Sequence, residues 1–294
     1  MRVSTTHDIR LDDGRILRVN DTGARSALTL IWHHGSPQTG ALLGPLVEAA
    51  AERDIRLLSY GRPSYGGSSP LPGRNVASAA SDVAELADAL GIERFAVMGA
   101  SGGGPHALAC AALLPDRVLG VALLACIAPS DADGLDFLAG MASDGASLRT
   151  AMVGRHAREL HERSAEFDPE SFVERDYAAL EGGWSSLGDD VGLAAAAGAD
   201  GLIDDDLAFV APWGFDVAAI DTPVLVVQGV LDRVVPPTHG AWLADRIDGA
   251  ELWSRPDDGH ISVLDACPAA MDWIIASAAD RPSGPRHTVA RKIA

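Results

Sequence analysis

Gly99-Ala100-Ser101-Gly102-Gly103 follows directly on the apolar run Phe95-Ala96-Val97-Met98 and leads into Pro105 to Leu114, a stretch of helical character. A strand that turns at once into a helix holds its serine in a strained backbone conformation, and only small residues at positions 99 and 103 let the two elements pass so closely. Ser101 Oγ then stands clear of the sheet beside a helix N-terminus whose free N–H groups favour negative charge. The Gly102 N–H is offered there to an oxyanion. The same glycines also satisfy a dinucleotide-loop pattern through Gly102, Gly104 and Ala107. That pattern needs an acid at the end of the next strand to hold a ribose, and Val118 to Cys126 carries none.

On either side of this turn, short apolar runs alternate with helical stretches. Residues 28–32, 55–58, 95–98, 118–126, 224–227 and 251–253 read as strands, and residues 41–52, 77–90, 105–114, 237–247 and 261–278 as helices. Such alternation predicts an α/β fold with a mostly parallel sheet flanked by helices. The first segment differs: Ile9 and Leu11 before Asp13-Gly14, with Ile16, Leu17 and Val19 after it, predict a β-hairpin.

A serine hydroxyl is a weak nucleophile until an imidazole takes its proton, and the imidazole in turn needs an orienting carboxylate. His260, in Pro256-Asp257-Asp258-Gly259-His260, lies just beyond the last expected strand, where a loop base belongs. Asp232 follows the Val224–Val227 strand directly and suits the carboxylate; Asp131 and Asp133, beyond the 118–126 strand, are the alternatives. A second oxyanion donor is expected in His33-His34-Gly35-Ser36-Pro37 as the Ser36 N–H, with His34 bracing that loop or reaching a substrate.

Composition narrows the partners. The chain has 294 residues, 47% of them hydrophobic and 22% charged, with a net charge of −18 that would repel a nucleic-acid backbone. Residues 130–216 lose the strand rhythm and carry 19 Asp and Glu against 5 Arg, a net of −14, so they read as an acidic helical lid inserted into a core of residues 1–129 and 217–280. Residues 281–294 read as a flexible basic tail. Within the insert, Glu181, Asp189, Asp190 and Asp204 to Asp206 are either solvated acids or ligands for a cationic substrate group. Trp184 and Trp213 either line an acyl pocket or pack structurally. The cysteines, Cys110, Cys126 and Cys267, sit in apolar surroundings and have no spacing suited to a metal, which predicts reduced, buried thiols. No apolar segment has the length of a membrane span and Met1 to His7 lacks a secretory core, so a cytoplasmic protein without membrane contact is expected.

With His34-Gly35, Gly99-x-Ser101-x-Gly103, Asp232 and His260 in that order, the chain resembles the α/β-hydrolase superfamily over about residues 5–280. Arg62-Pro63-Ser64-Tyr65-Gly66-Gly67-Ser68 is similar to the loop after the fourth strand in proline iminopeptidases and cofactor-free esterases. The resemblance implies an eight-stranded sheet with the insert as lid, no metal or organic cofactor, and a small acyl substrate. A serine at position 101, where dehalogenases and epoxide hydrolases carry aspartate, implies acyl transfer with carboxylic esters as the expected substrates. Proline iminopeptidase-like cleavage of aminoacyl amides is the alternative, but their His-Gly-Gly-Pro-Gly segment is here His34-Gly35-Ser36-Pro37-Gln38. A member that binds a small ligand without catalysis is the remaining reading.

Overall fold

The computed structural model describes residues 4–23 and 26–279. The expected tail, residues 281–294, lies outside the described residues. Eight strands form one sheet: β1 (Thr5–Arg10), β2 (Ile16–Asp21), β3 (Leu28–His33), β4 (Ile55–Tyr60), β5 (Phe95–Ala100), β6 (Val118–Leu124), β7 (Val224–Gly229) and β8 (Glu251–Arg255). Their order is β1-β2-β4-β3-β5-β6-β7-β8. The hairpin β1–β2 joins β4 antiparallel, and every other pairing is parallel.

The two-residue period of the strands decides which side chains face which helices. Ile31, Leu58, Val97, Val121 and Val226 point to one face, covered by α2 (Ser78–Ala89), α3 (Gly104–Leu113) and α9 (Pro237–Arg246). Leu30, Trp32, Leu57, Met98 and Val227 point to the other, covered by α1 (Gly44–Glu52) and α10 (Cys267–Ala279). Both faces of β5 are therefore buried, which is why its sequence is an unbroken run of apolar and small residues. Each fully buried Leu, Ile or Val contributes about 1.5–3 kcal/mol of transfer free energy.

Two helix boundaries differ from expectation, both at proline. The first helix starts at Gly44 rather than near residue 41, with Pro45 in its opening turn. The final helix starts at Cys267, after a separate 3-10 turn at Ser262–Ala266. Pro268 lacks an N–H and its ring would clash with the preceding turn, so one continuous α-helix cannot run from residue 261 through it.

Between β6 and β7 the chain forms α4 (Ala146–Val153), α5 (Arg155–Glu162), α6 (Glu174–Glu181), α7 (Ser185–Ala197) and α8 (Asp200–Val210). This helical excursion packs on the sheet domain at both sides, through Leu148 and Phe209 on one and Trp184 and Leu187 on the other. No described helix is long and apolar enough to cross a membrane.

Candidate active site

Ser101 leaves β5 with φ at +51°, in the left-handed region that non-glycine residues avoid at a cost of about 1–3 kcal/mol. Its neighbours explain how the turn closes. A Cβ on Gly99 would come 2.6 Å from Gly103 O, and one on Gly103 would collide with the His33 carbonyl. The expected elbow is thus present in the backbone, with Ser101 partly exposed at its tip.

Asp232 and His260 arrive from the turns after β7 and β8. His260 Nδ1 lies 2.8 Å from Asp232 Oδ2. A carboxylate only accepts, so Nδ1 carries the proton and Nε2 is the ring atom left to exchange one. Asp232 Oδ1 accepts the N–H groups of Val234 at 2.8 Å and Val235 at 2.9 Å, which fixes the carboxylate before it meets the imidazole. Burial works against a charged His260, but the Asp232 carboxylate outweighs it and raises the imidazole pKa above 6.5. Asp131 and Asp133 are exposed and take no part in this pair.

Ser101 and His260 wall one cavity of about 430 Å³, whose remaining lining includes Trp32, Phe172, Leu180, Leu187 and Val191. A second cavity of about 540 Å³ shares Ser36, Ser101 and Phe167 with the first and reaches toward Arg158, Glu162 and Asp206. Ser36 and Gly102 come together beside Ser101, since a Cβ on Gly102 would strike Ser36 Oγ. The Gly35 N–H is already engaged, donating to Gln38 Oε1 at 2.6 Å.

His34, Trp184 and Trp213, each open to a bracing or packing role or to substrate contact, are placed in bracing and packing positions. His34 is buried; its Nδ1 faces Gly35 O at 2.7 Å and its Nε2 accepts the Arg62 N–H at 3.1 Å, which braces the loop. Trp184 donates to Asp265 Oδ1 at 2.9 Å, and Trp213 to Phe209 O at 3.2 Å. None of the three lines either cavity at Ser101. Both indoles are buried in core clusters, where their N–H groups need partners within the protein.

The acids of the helical excursion divide in a way charge counting could not foresee. Glu181 and Asp189 are exposed. Asp190 bonds the Thr39 N–H at 3.1 Å and its hydroxyl, and Asp204 takes Ser64 Oγ at 3.1 Å together with Arg155. Asp205 is wholly buried: Oδ2 meets Arg62 Nη2 at 2.6 Å, the Tyr65 hydroxyl at 2.9 Å and Ser36 Oγ, while Oδ1 meets Arg74 Nη2 at 2.6 Å. Burial alone would push the Asp205 carboxyl up, but Arg62 and Arg74 hold it well below the ordinary carboxylate range. Arg62 also donates to the His34 and Gly35 carbonyls, so α8 is tied to the loop that carries Ser36. Asp206, on the wall of the second cavity, is pushed up to about 6 by burial despite Arg158 Nε at 2.6 Å.

Sequence reasoning brought Ser101, Asp232, His260, Ser36 and Gly102 to one place. It missed Arg62 and Arg74, which pair with Asp205, and Asp176, whose carboxylate accepts the N–H groups of His260, Ile261 and Ser262. Arg62 lies in the quoted loop motif and was within reach; Asp176, at the third position of α6, looks like any acid in a first helical turn.

A family model described as alpha/beta hydrolase fold matches residues 29–266. Rhodomycin D methylesterase from Streptomyces sp. (strain C5) is 45% identical over 47 residues, a segment that spans only 16% of each chain. A non-heme chloroperoxidase from Streptomyces lividans is 27% identical over 249 residues, covering 79% of this chain and 84% of the relative. Among solved structures, a hydrolase from Pseudomonas aeruginosa PA01 superimposes with a TM-score of 0.70 at 25% identity, over 94% of this chain and 99% of its own.

Proposed function

The chain belongs to the alpha/beta hydrolase fold family, and on that premise we propose that it is a serine hydrolase of small carboxylic esters. The observation that carries this reading is the opening of the buried Asp232–His260 pair on the same cavity as Ser101, which the φ of +51° sets at the elbow tip. In the proposed cycle His260 Nε2 takes the Ser101 proton as Oγ attacks the ester carbonyl. Backbone N–H groups of Ser36 and Gly102 hold the oxyanion, a contribution worth about 10²–10³ in rate per donor. His260 then protonates the departing alcohol, and water attacks the acyl-Ser101 ester by the reverse sequence. Asp232 orients the imidazole and stabilises its charged form throughout.

The helices between β6 and β7 act as the cap over this centre, and most of their buried acids anchor it rather than select a substrate. Phe172, Leu180, Leu187 and Val191 supply an apolar wall from α6, α7 and the segment before them, which suits an apolar substrate group. The methylesterase name of one partial relative agrees with ester chemistry.

The test is labelling by a fluorophosphonate probe together with hydrolysis of p-nitrophenyl butyrate. Wild type is expected to label and turn over, and Ser101→Ala to do neither. Equal labelling of the two proteins, or faster cleavage of prolyl-naphthylamide than of the ester, overturns the reading.

A further inference from the structure

Asp176 is buried to 0% exposure at the start of α6, yet most of its hydrogen bonds leave that helix. Oδ1 accepts the N–H of Ile261 at 2.9 Å, the N–H of Ser262 at 2.8 Å and the Ser262 hydroxyl at 2.7 Å. Oδ2 accepts the N–H of His260 at 3.1 Å, and at the same distance that of Val173, the one bond to its own helix start. A helix cap needs only the Val173 bond. Here one carboxylate gathers the N–H groups of three consecutive residues, the first of which carries the imidazole. Gly259 belongs to the same arrangement, because a Cβ there would run into Asp176 Oδ2.

The chemistry of these contacts points beyond a tie between domains. Three convergent N–H groups around an anion define the backbone path of the turn, and the backbone path defines where the His260 ring lies. The charge reaches the ring as well. Two carboxylates face His260, Asp232 from the turn after β7 and Asp176 from α6, and both favour its protonated form. Of the other charged groups on the flanking turns, Asp258 pairs with Arg175 at 2.9 Å and Arg255 at 2.8 Å, whereas Arg233 donates to the Glu170 carbonyl and Asp265 accepts from the Trp184 indole and both keep their charge.

We propose that Asp176 is a positioning residue for His260, so that the base is aligned with Ser101 and Asp232 only while α6 of the cap is seated on the His260–Ser262 turn. This inference rests on the serine-hydrolase reading and deepens it. The cap then does more than wall the substrate cavity, because its docking completes the base. A cap displaced to admit substrate or release product leaves, on this account, the His260 turn without its anchor, so the centre is most active in the closed form.

Two full-length variants test it, Asp176→Asn and Gly259→Ala, the second leaving the charge in the protein while driving it off the turn. Hydrolysis of p-nitrophenyl butyrate is followed from pH 5 to 9, with rates normalised to sites titrated by the fluorophosphonate so that unfolded material drops out. Both are expected to lose about 10- to 100-fold in kcat, the scale of misplacing a catalytic group, with KM within about twofold of wild type. Asp176→Asn is also expected to move the acid limb of kcat/KM to lower pH, because a group that raises the His260 pKa is gone. Should Asp176→Asn yield no titratable sites, Gly259→Ala decides on kcat alone. Retention of wild-type kcat and pH profile in a titratable variant, with only its melting temperature lowered, overturns the proposal. Failure of wild type itself to label overturns the hydrolase reading and this inference with it.

Discussion

His260 Nδ1 and Asp232 Oδ2 face each other at 2.8 Å across the turns that follow two neighbouring parallel strands, although 28 residues of chain separate them. Parallel strands deliver their C-terminal turns to one edge of the sheet, and β5 delivers Ser101 to that edge too. The pair is buried and its carboxylate is held by two backbone N–H groups, so it meets the imidazole in one geometry. Replacing Asp232 by Asn places an amide opposite Nδ1 and favours the wrong tautomer. Asp232→Asn is expected to lower kcat on p-nitrophenyl butyrate by about 10⁴-fold with little change in KM, as such a change does in other triads. A loss below about tenfold in steady-state assays would remove Asp232 from the mechanism.

The raised pKa of His260 sets a pH dependence. In the proposed mechanism His260 must be neutral to act as base, so kcat/KM is expected to rise with pH through an apparent pKa above 6.5. Stability moves the opposite way. A pKa raised on folding contributes stability that is fully present below the unfolded value of about 6.5 and is lost as pH rises through the folded value. A pH–rate profile and melting curves from pH 5 to 9 check both signs, and an acid limb below 6.5 contradicts the pairing.

Asp205 predicts a stability effect of another size. Removing its charge by Asp205→Asn leaves Arg62 and Arg74 buried without a counter-ion, an error worth about 3–5 kcal/mol. Urea unfolding at pH 7 measures it, and a loss under about 1 kcal/mol would mean that water reaches the arginines. Because the Asp205 pKa is depressed, its contribution is present above the unfolded carboxylate value of about 3.9 and is lost as pH falls toward the folded value.

The apolar cavity makes a size prediction. Val191→Trp fills part of a space of about 430 Å³. Relative to wild type, kcat/KM for p-nitrophenyl octanoate is expected to fall at least about tenfold more than for the acetate, the scale of one or two methylenes excluded from a pocket. Equal losses on both esters would place the acyl chain elsewhere.

The three cysteines are all buried, and burial pushes each thiol pKa up. A thiolate-seeking reagent is expected to find no reactive thiol in the native protein and three after denaturation. Rapid native labelling would show that one of them opens to solvent.

Asp232 and His260 were expected from their places after strands and from the family resemblance, whereas the strand-turn-helix at Ser101 and the alternation of elements around it were legible because each depends on local sterics or two-residue and helical periods. Those signals sit in consecutive residues. Even there, Pro45 and Pro268 moved helix starts that apolar patterning had blurred. The acidic insert was legible only as a sum of charge. Whether Asp189 meets water, Asp205 meets two arginines or Asp176 meets the His260 turn depends on which face of a helix lands on which loop, and one aspartate in a helical turn resembles another in sequence. The same holds for Trp184 and Trp213, whose indoles found partners in the core rather than in a cavity. Local chemistry written along the chain determined the strand-turn-helix at Ser101 and its parallel sheet. Tertiary packing alone decided how the charge of the helices between β6 and β7 is used, because burial and pairing belong to surfaces that only folding brings together.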